Sequence, residues 1–317
     1  MTAPDLILPR EIDATQITCL RACPQKFKLE FCYGLRPTMF SVDLHAGGCF
    51  ATGVETVGKA VHEHKLPLEV ALQKGLAAYL DAWGDFVPMK DTPKTKERTW
   101  EAVEEYFKMW PPLTDHVQPH FIQGKPTYET TFAIPLEPVN SKNVDTGDSF
   151  PLHPSGEPFI YTGKLDRLGD WRGKLVGQDE KTTTSIGAKW SDQWLLRSQF
   201  MGYCWALQQM GLNVDTIIVR GIGILKTKFT LVEAAPTYTT FMLERWKEQL
   251  RRDLWRLRRM WDEGYFDFNL AEACTSYGGC PFNGLCTSPN PEAWMDQFTV
   301  RRWNPLLKNP VAEEKAA

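Results

Sequence analysis

Residues 159–168 and 174–182 constrain this chain more than any other stretch, because together they dictate a β-hairpin that carries its own carboxylates. The first run, FIYTGKLDRL, is apolar and aromatic, residues 169–173 are turn-forming, and KLVGQDEKT is extended again. Side chains alternate along a strand, so Asp179 and Lys181 share one face and Glu180 points to the other. Asp166 on one strand and Asp179 on the next make a hard oxygen site that suits magnesium or manganese. A lysine beside such a site can orient water or offset charge on a transferring phosphoryl group. A solvated hairpin also produces D-x-K strings. The carboxylate at a matching offset on the neighbouring strand argues for a site.

Downstream, Gln199 and Tyr203 are four residues apart in QFMGYCWAL and share a face if that segment is helical. The ordered set, G-x-x-D at Gly163 and Asp166, D-x-K-T from Asp179 to Thr182, then Q-x-x-x-Y, resembles the PD-(D/E)XK nuclease superfamily. The resemblance is to the RecB-like branch, which includes CRISPR-adaptation nucleases and phage-encoded exonucleases. It implies an α/β, restriction-endonuclease-like mixed sheet flanked by helices, with a helical N-terminal portion and a cysteine-ligated C-terminal clasp. It also implies one nuclease domain over residues 1–317. The activity implied is Mg²⁺- or Mn²⁺-dependent hydrolysis of DNA, as an exonuclease in recombination, repair or end processing. A single-strand annealing or recombination protein is the partner that such a phage-type enzyme would serve, in the host cytoplasm. Asp166, Asp179 and Lys181 are the catalytic set, with Gln199 and Tyr203 supporting the site or contacting the strand.

The branch also places G-x-x-x-H on a helix before the sheet, and two registers are open. Gly58 and His62 match literally; Gly47 puts Ala51 at the histidine position, with Glu55 one turn on as a substitute carboxylate. Glu129, in the strand-like YETTFAI, is a third candidate for the site.

Cysteines give a second signal. Cys19, Cys23 and Cys32 lie early and Cys274, Cys280 and Cys286 late, with no apolar signal segment ahead of them. Clustered thiols in a reducing compartment point to metal rather than disulfides. The resemblance assigns Cys23, Cys274, Cys280 and Cys286 to a 4Fe-4S cluster, with structural zinc as the alternative. The late spacing, C-x5-C-x5-C, departs from the branch's C-x2-C-x5-C at Cys274. Cys49 and Cys204 read as small core residues.

The chain has 317 residues, 43% hydrophobic and 24% charged, with a net charge of −3. That is ample for a large core, and no apolar run is long enough to span a membrane. A near-neutral balance demands a local basic surface if DNA is the substrate. Residues 241–261 offer one: Trp246, Leu250, Leu254, Leu257 and Trp261 recur at helical spacing, flanked by Arg251, Arg252, Arg256, Arg258 and Arg259. An arginine-rich helix facing solvent, or paired with nearby acids, is the plainer reading.

Helices are expected at 14–33, 46–83, 96–110 and 190–210, and strands at 127–136, 159–168, 174–182, 216–226 and 229–234. A Pro-, Gly- and Ser-rich loop over 137–158 and a loose tail over 308–317 complete the chain. Two further function classes compete with the nuclease: a catalytically silent nuclease fold that binds DNA or a partner, and a zinc-stabilised protein with an accidental hairpin match.

Overall fold

The computed structural model describes residues 4–38, 41–138, 149–270, 272–275 and 279–307. The tail 308–317 and the centre of the 137–158 loop lie outside these residues. The chain divides into two compact units. One comprises residues 40–130 and 164–240, the other residues 1–39, 131–163 and 241–317.

The first of these units carries the hairpin. Lys174–Thr183 runs antiparallel to Ile160–Trp171, with Arg167 opposite Gln178 and Trp171 opposite Lys174. The loop is tighter than the sequence implied. Arg172 (φ +51°) and Gly173 (φ +75°) alone reverse the chain, the left-handed pair that a two-residue hairpin requires. Ile217–Ile224 lies parallel to the second hairpin strand and antiparallel to Phe229–Ala234, while Val117–Pro119 pairs with the first. The parallel step needs a crossover, supplied by the helix Ser198–Gln209. Every residue of Ile217–Ile224 is buried, as a central strand requires.

One face of this sheet is shaped by glycine. Gly221 pairs with Lys181 and Gly223 with Thr183, so both continue the face that holds Asp179 and Lys181. A Cβ on Gly221 would stand 2.3 Å from the Trp190 ring, and one on Gly223 would stand 3.0 Å from Ile186. The missing side chains let the segment after the hairpin lie flat on the sheet. The helices Val42–His62, Leu68–Trp83 and Lys96–Met109 supply the other layer. Phe50, Val54, Val57 and Val61 recur at helical spacing and pack with Val103, Phe107, Ile222 and Ile224.

In the second unit, Glu11–Ile12 pairs in parallel with Ile160 and Tyr161. Thr240–Glu263 buries Trp246, Leu250, Leu254, Leu257 and Met260, with Trp246 5.1 Å from Tyr161. Leu35–Pro37 pairs with Phe298–Val300, and Leu29, Leu35, Phe282 and Phe298 close an apolar cluster beneath them. Backbone pairing and this cluster join the early and late segments. The cysteine-ligated clasp is therefore not seen as expected: among the described residues no three His, Cys, Asp or Glu side chains are close enough together to hold a metal ion.

Several expected boundaries moved for local reasons. The 14–33 helix stops at Ala22, because Cys23 is extended ahead of Pro24, and resumes as Pro24–Phe27 and a π-turn at Lys28–Cys32. The 46–83 helix splits where Lys65 adopts φ +56° and Pro67 caps the next segment. The 190–210 helix begins only at Ser198. Among the described residues no helix is long and apolar enough to cross a membrane.

Candidate active site

The hairpin register sets the site. The strand pairing runs from Trp171 opposite Lys174 to Arg167 opposite Gln178, and just past its end Asp166 and Asp179 are close enough for their charges to interact. Lys181 Nζ stands 2.6 Å from Asp179 Oδ2, and the Asp179 side chain is otherwise buried. Asp166 Oδ2 accepts the backbone N–H of Glu180 at 2.8 Å. Burial, followed by the charges of Asp179 and Glu180, holds the Asp166 carboxyl well above the ordinary carboxylate range. Asp179 is also raised, first by burial, with Lys181 opposing. A half-buried Asp166 and a buried Asp179, with one ammonium on Asp179, leave negative charge undersupplied with counter-charge.

Glu180 is the residue that the sequence reading set aside. It does face away from Asp179, yet it lines a small cavity (≈ 40 Å³) together with Asp166, Glu55 and Glu129. Tyr106 Oη donates to Glu180 Oε1 at 2.8 Å, and Gln178 Nε2 donates to the same oxygen at 2.5 Å. Burial disfavours its charge, but Arg167 and the bonds from Asp166 and Gln178 outweigh that and hold Glu180 below its usual range. The anchor behind it is a buried network. Arg167 Nη2 donates to Gln178 Oε1 (2.6 Å) and Asp115 Oδ2 (3.1 Å), and Arg220 engages both Asp115 oxygens at 2.6 and 2.8 Å. Tyr106, Asp115, Arg167 and Arg220 were all missed from the sequence. The available signal was a lone arginine within each of two strands, one of them, Ile217–Ile224, otherwise apolar, where a buried charge is tolerated only with partners.

The two registers for the preceding helix now separate. Ala51 and Glu55 line the cavity with Asp166. His62, two turns further on, does not line it, and is buried rather than at the surface. Burial first, then the charges of Arg167 and Lys65, push His62 down to about 4, so it is neutral at physiological pH. Glu55 also pairs with Lys59 at 2.5 Å. Glu129 is brought in by strain. It holds φ +53°, unusual for a non-glycine residue in a strand, and meets Lys164 Nζ at 3.1 Å. Gln199 Nε2 donates to Tyr203 Oη (2.8 Å), which donates to the Lys164 carbonyl (2.7 Å). Tyr203 thus bolts its helix to the strand two residues before Asp166.

The expected basic surface is largely neutralised. Arg251 and Arg252 both bond Glu248, which they pull down to about 2, while Arg256 pairs with Asp267, Arg258 with Asp262 and Arg259 with Glu263. These acids lie at helical spacing or just past the helix end, as the plainer reading of the helix, arginines paired with nearby acids, expects.

Cys280 and Cys286 are half-buried, and both feel the charges of Cys23 and Cys274. Burial first, then Cys280, Cys23 and Cys274, raise the Cys286 thiol to about 11. Four thiols therefore share one neighbourhood within their unit, although not at ligating distance.

A mixed sheet flanked by helices, with two aspartates meeting across a hairpin and a lysine two residues past the second, defines a nuclease-type α/β fold. Residues 12–287 match the PD-(D/E)XK nuclease superfamily, and the chain belongs to it. Among solved structures, one named "Putative exonuclease" from Eubacterium rectale aligns with TM-score 0.48 and 12% identity over 84% of this chain and 86% of that one. The structure of SSO0001 aligns with TM-score 0.29 and 13% identity, over 77% and 76% of the two chains. No curated protein matches the sequence.

One prediction follows from Asp166 alone, whose carboxyl is held above its ordinary range. A carboxyl whose pKa is raised on folding drains stability as pH climbs from its unfolded value, about 4, through its folded value. Asp166→Asn keeps an acceptor for the Glu180 N–H and removes that charge. In metal-free buffer at neutral pH its melting temperature should rise by roughly 2–4 °C. The gain should vanish as pH falls below about 4. A melting temperature lowered at both pH values would sink this account.

Proposed function

We propose that this protein hydrolyses phosphodiester bonds in DNA with Mg²⁺ or Mn²⁺, acting as an exonuclease. The observation that carries the reading is the closeness of Asp166 and Asp179 at the end of the hairpin pairing, with Lys181 2.6 Å from Asp179, in a chain of the nuclease superfamily. The donor set fits a hard divalent cation: oxygen-only, at least half-buried and short of positive charge. Asp166 and Asp179 would hold it, with Glu55, which lines a cavity with Asp166 and Glu180 although Asp179 does not, as the third carboxylate in preference to His62. When bound, such a cation polarises the phosphodiester and makes water acidic enough to attack. Lys181 positions the attacking water and balances charge on the phosphoryl group. Tyr203 and Gln199 hold the strand that carries Asp166. Glu180, fixed by Tyr106 and Gln178, holds Asp166 through its backbone N–H.

The test is degradation of end-labelled linear DNA beside a closed circle, with Mn²⁺ or Mg²⁺ against EDTA. Metal-dependent loss of the linear form alone is expected. Cutting of the circle would replace exonuclease by endonuclease action, and no cleavage by folded protein in either metal would favour the silent DNA-binding scaffold. For that scaffold speaks the lack, among the described residues, of three metal-binding side chains already within ligating distance.

We further propose that Cys23, Cys274, Cys280 and Cys286 bind a 4Fe-4S cluster or, as the alternative, zinc. Their mutual electrostatic influence and their shared half-buried setting support this. Protein purified anaerobically should carry iron and sulfide, or one zinc, and Cys286→Ser should lose most of it. Metal-free protein of unchanged stability would refute this second site.

A further inference from the structure

Beyond Lys181, one more cation is placed to work at this site. Arg197 lies at the start of the helix Ser198–Gln209, and its exposed side chain makes no ion pair or hydrogen bond among the described residues. It differs in this from Arg251, Arg252, Arg256, Arg258 and Arg259 of Thr240–Glu263, each of which has an acid beside it.

Its support is rigid. The guanidinium stands 5.8 Å from the Trp194 ring, as Lys181 Nζ stands 5.7 Å from the Phe200 ring, and the two rings are 5.6 Å apart. Trp194 is buried, packs against Trp190 at 5.2 Å, and its carbonyl accepts the Tyr238 hydroxyl at 2.6 Å. Trp190 in turn lies over Gly221, the partner of Lys181 in the next strand. Arg197 and Lys181 are thus mounted on adjoining faces of one aromatic row that the sheet locks in place. Arg197 is close enough to Asp179 for its charge to favour the ionised carboxylate. An exposed, unpaired guanidinium beside a buried aspartate–lysine pair suits a phosphate, whose oxygens match its planar fork.

We propose that Arg197 grips a phosphate of the DNA strand next to the position of cleavage, so that the backbone is held between Arg197 and Lys181. The proposal rests on the nuclease reading, and its test separates the two. Binding of a labelled DNA duplex is measured in Ca²⁺ between 50 and 200 mM KCl, and cleavage in Mn²⁺, for wild type, Arg197→Ala, Arg197→Lys and Lys189→Ala. Lys189 is an exposed cation on the same segment and controls for charge alone.

Arg197→Ala should reduce the log–log salt slope of binding by about 0.9, the share of one phosphate contact. It should also lower kcat/KM by roughly 10- to 100-fold, as expected for a lost charged hydrogen bond. Arg197→Lys should restore the slope and only part of the rate, because the fork is lost. A slope equal to wild type in Arg197→Ala, a change matched by Lys189→Ala, or wild type that does not bind DNA would overturn the proposal. Wild type that binds but never cleaves, with the slope still reduced in Arg197→Ala, would refute the nuclease and leave the phosphate contact standing.

Discussion

Lys181→Ala should lower metal-dependent DNA cleavage by about 10³-fold while leaving DNA binding within about tenfold of wild type. The size follows from where the ammonium sits. Nζ is 2.6 Å from Asp179 Oδ2, and no other side chain bonds that buried oxygen among the described residues. Lys181 is the main influence opposing burial at Asp179, so its loss pushes that carboxyl further up and raises the metal concentration needed for half-maximal rate. Saturating metal should restore this part of the deficit. The remainder, from the missing cation beside the phosphoryl group, should persist at any metal concentration. Lys181→Arg keeps the charge but not the compact ammonium, and should recover metal affinity without recovering rate. Cleavage by Lys181→Ala within tenfold of wild type would remove Lys181 from the chemistry.

That prediction was open to the sequence, because strand alternation and a matching aspartate place Lys181 and both carboxylates without coordinates. The central strand was equally open: TIIVRGIGILK has the continuous apolar character of a strand buried on both faces. Contacts between segments far apart in the chain were hidden. Glu180 read as an outward residue because alternation gives direction and not destination. Its destination is Tyr106, brought from 74 positions away. The arginine helix left two readings open, basic surface or arginines paired with acids, and which acids pair, three, four and eleven residues away, was settled only by the fold. Arg197 had no motif around it, and its position emerged only once Trp194 and Phe200 were seen side by side. Short-range patterns locate strands and their faces, whereas pairing of long polar side chains depends on which element the fold delivers opposite them.

Arg220→Ala should cost about 3–5 kcal/mol of stability, the largest loss expected from a single change in this chain. The side chain is wholly buried, with Nη2 and Nη1 on the two oxygens of Asp115 at 2.6 and 2.8 Å, Nη1 also on Tyr106 Oη at 3.0 Å, and Nε on Glu233 at 3.0 Å. Its guanidinium lies 4.4 Å from the Trp110 ring. Truncation strands Asp115 in the interior with Arg167 as its remaining guanidinium, and takes a donor from Tyr106, which holds Glu180. Domains are stable by only about 5–15 kcal/mol, so urea unfolding should show a midpoint reduced by a large fraction. Burial opposes the charge on Asp115, but the bonds and charge of Arg220, aided by Arg167, outweigh it and leave the carboxyl below its usual range. A depressed carboxyl contributes stability that is present above its unfolded pKa, about 4, and is lost as pH falls through the folded value. The deficit of Arg220→Ala should therefore be full at pH 7 and shrink on acidification below about pH 4. Arg220→Lys should recover the charge but not the fork, and fall between the two. If Arg220→Ala unfolds at the wild-type urea concentration, or its deficit ignores pH, the network is not what holds Glu180 and Asp166 in position.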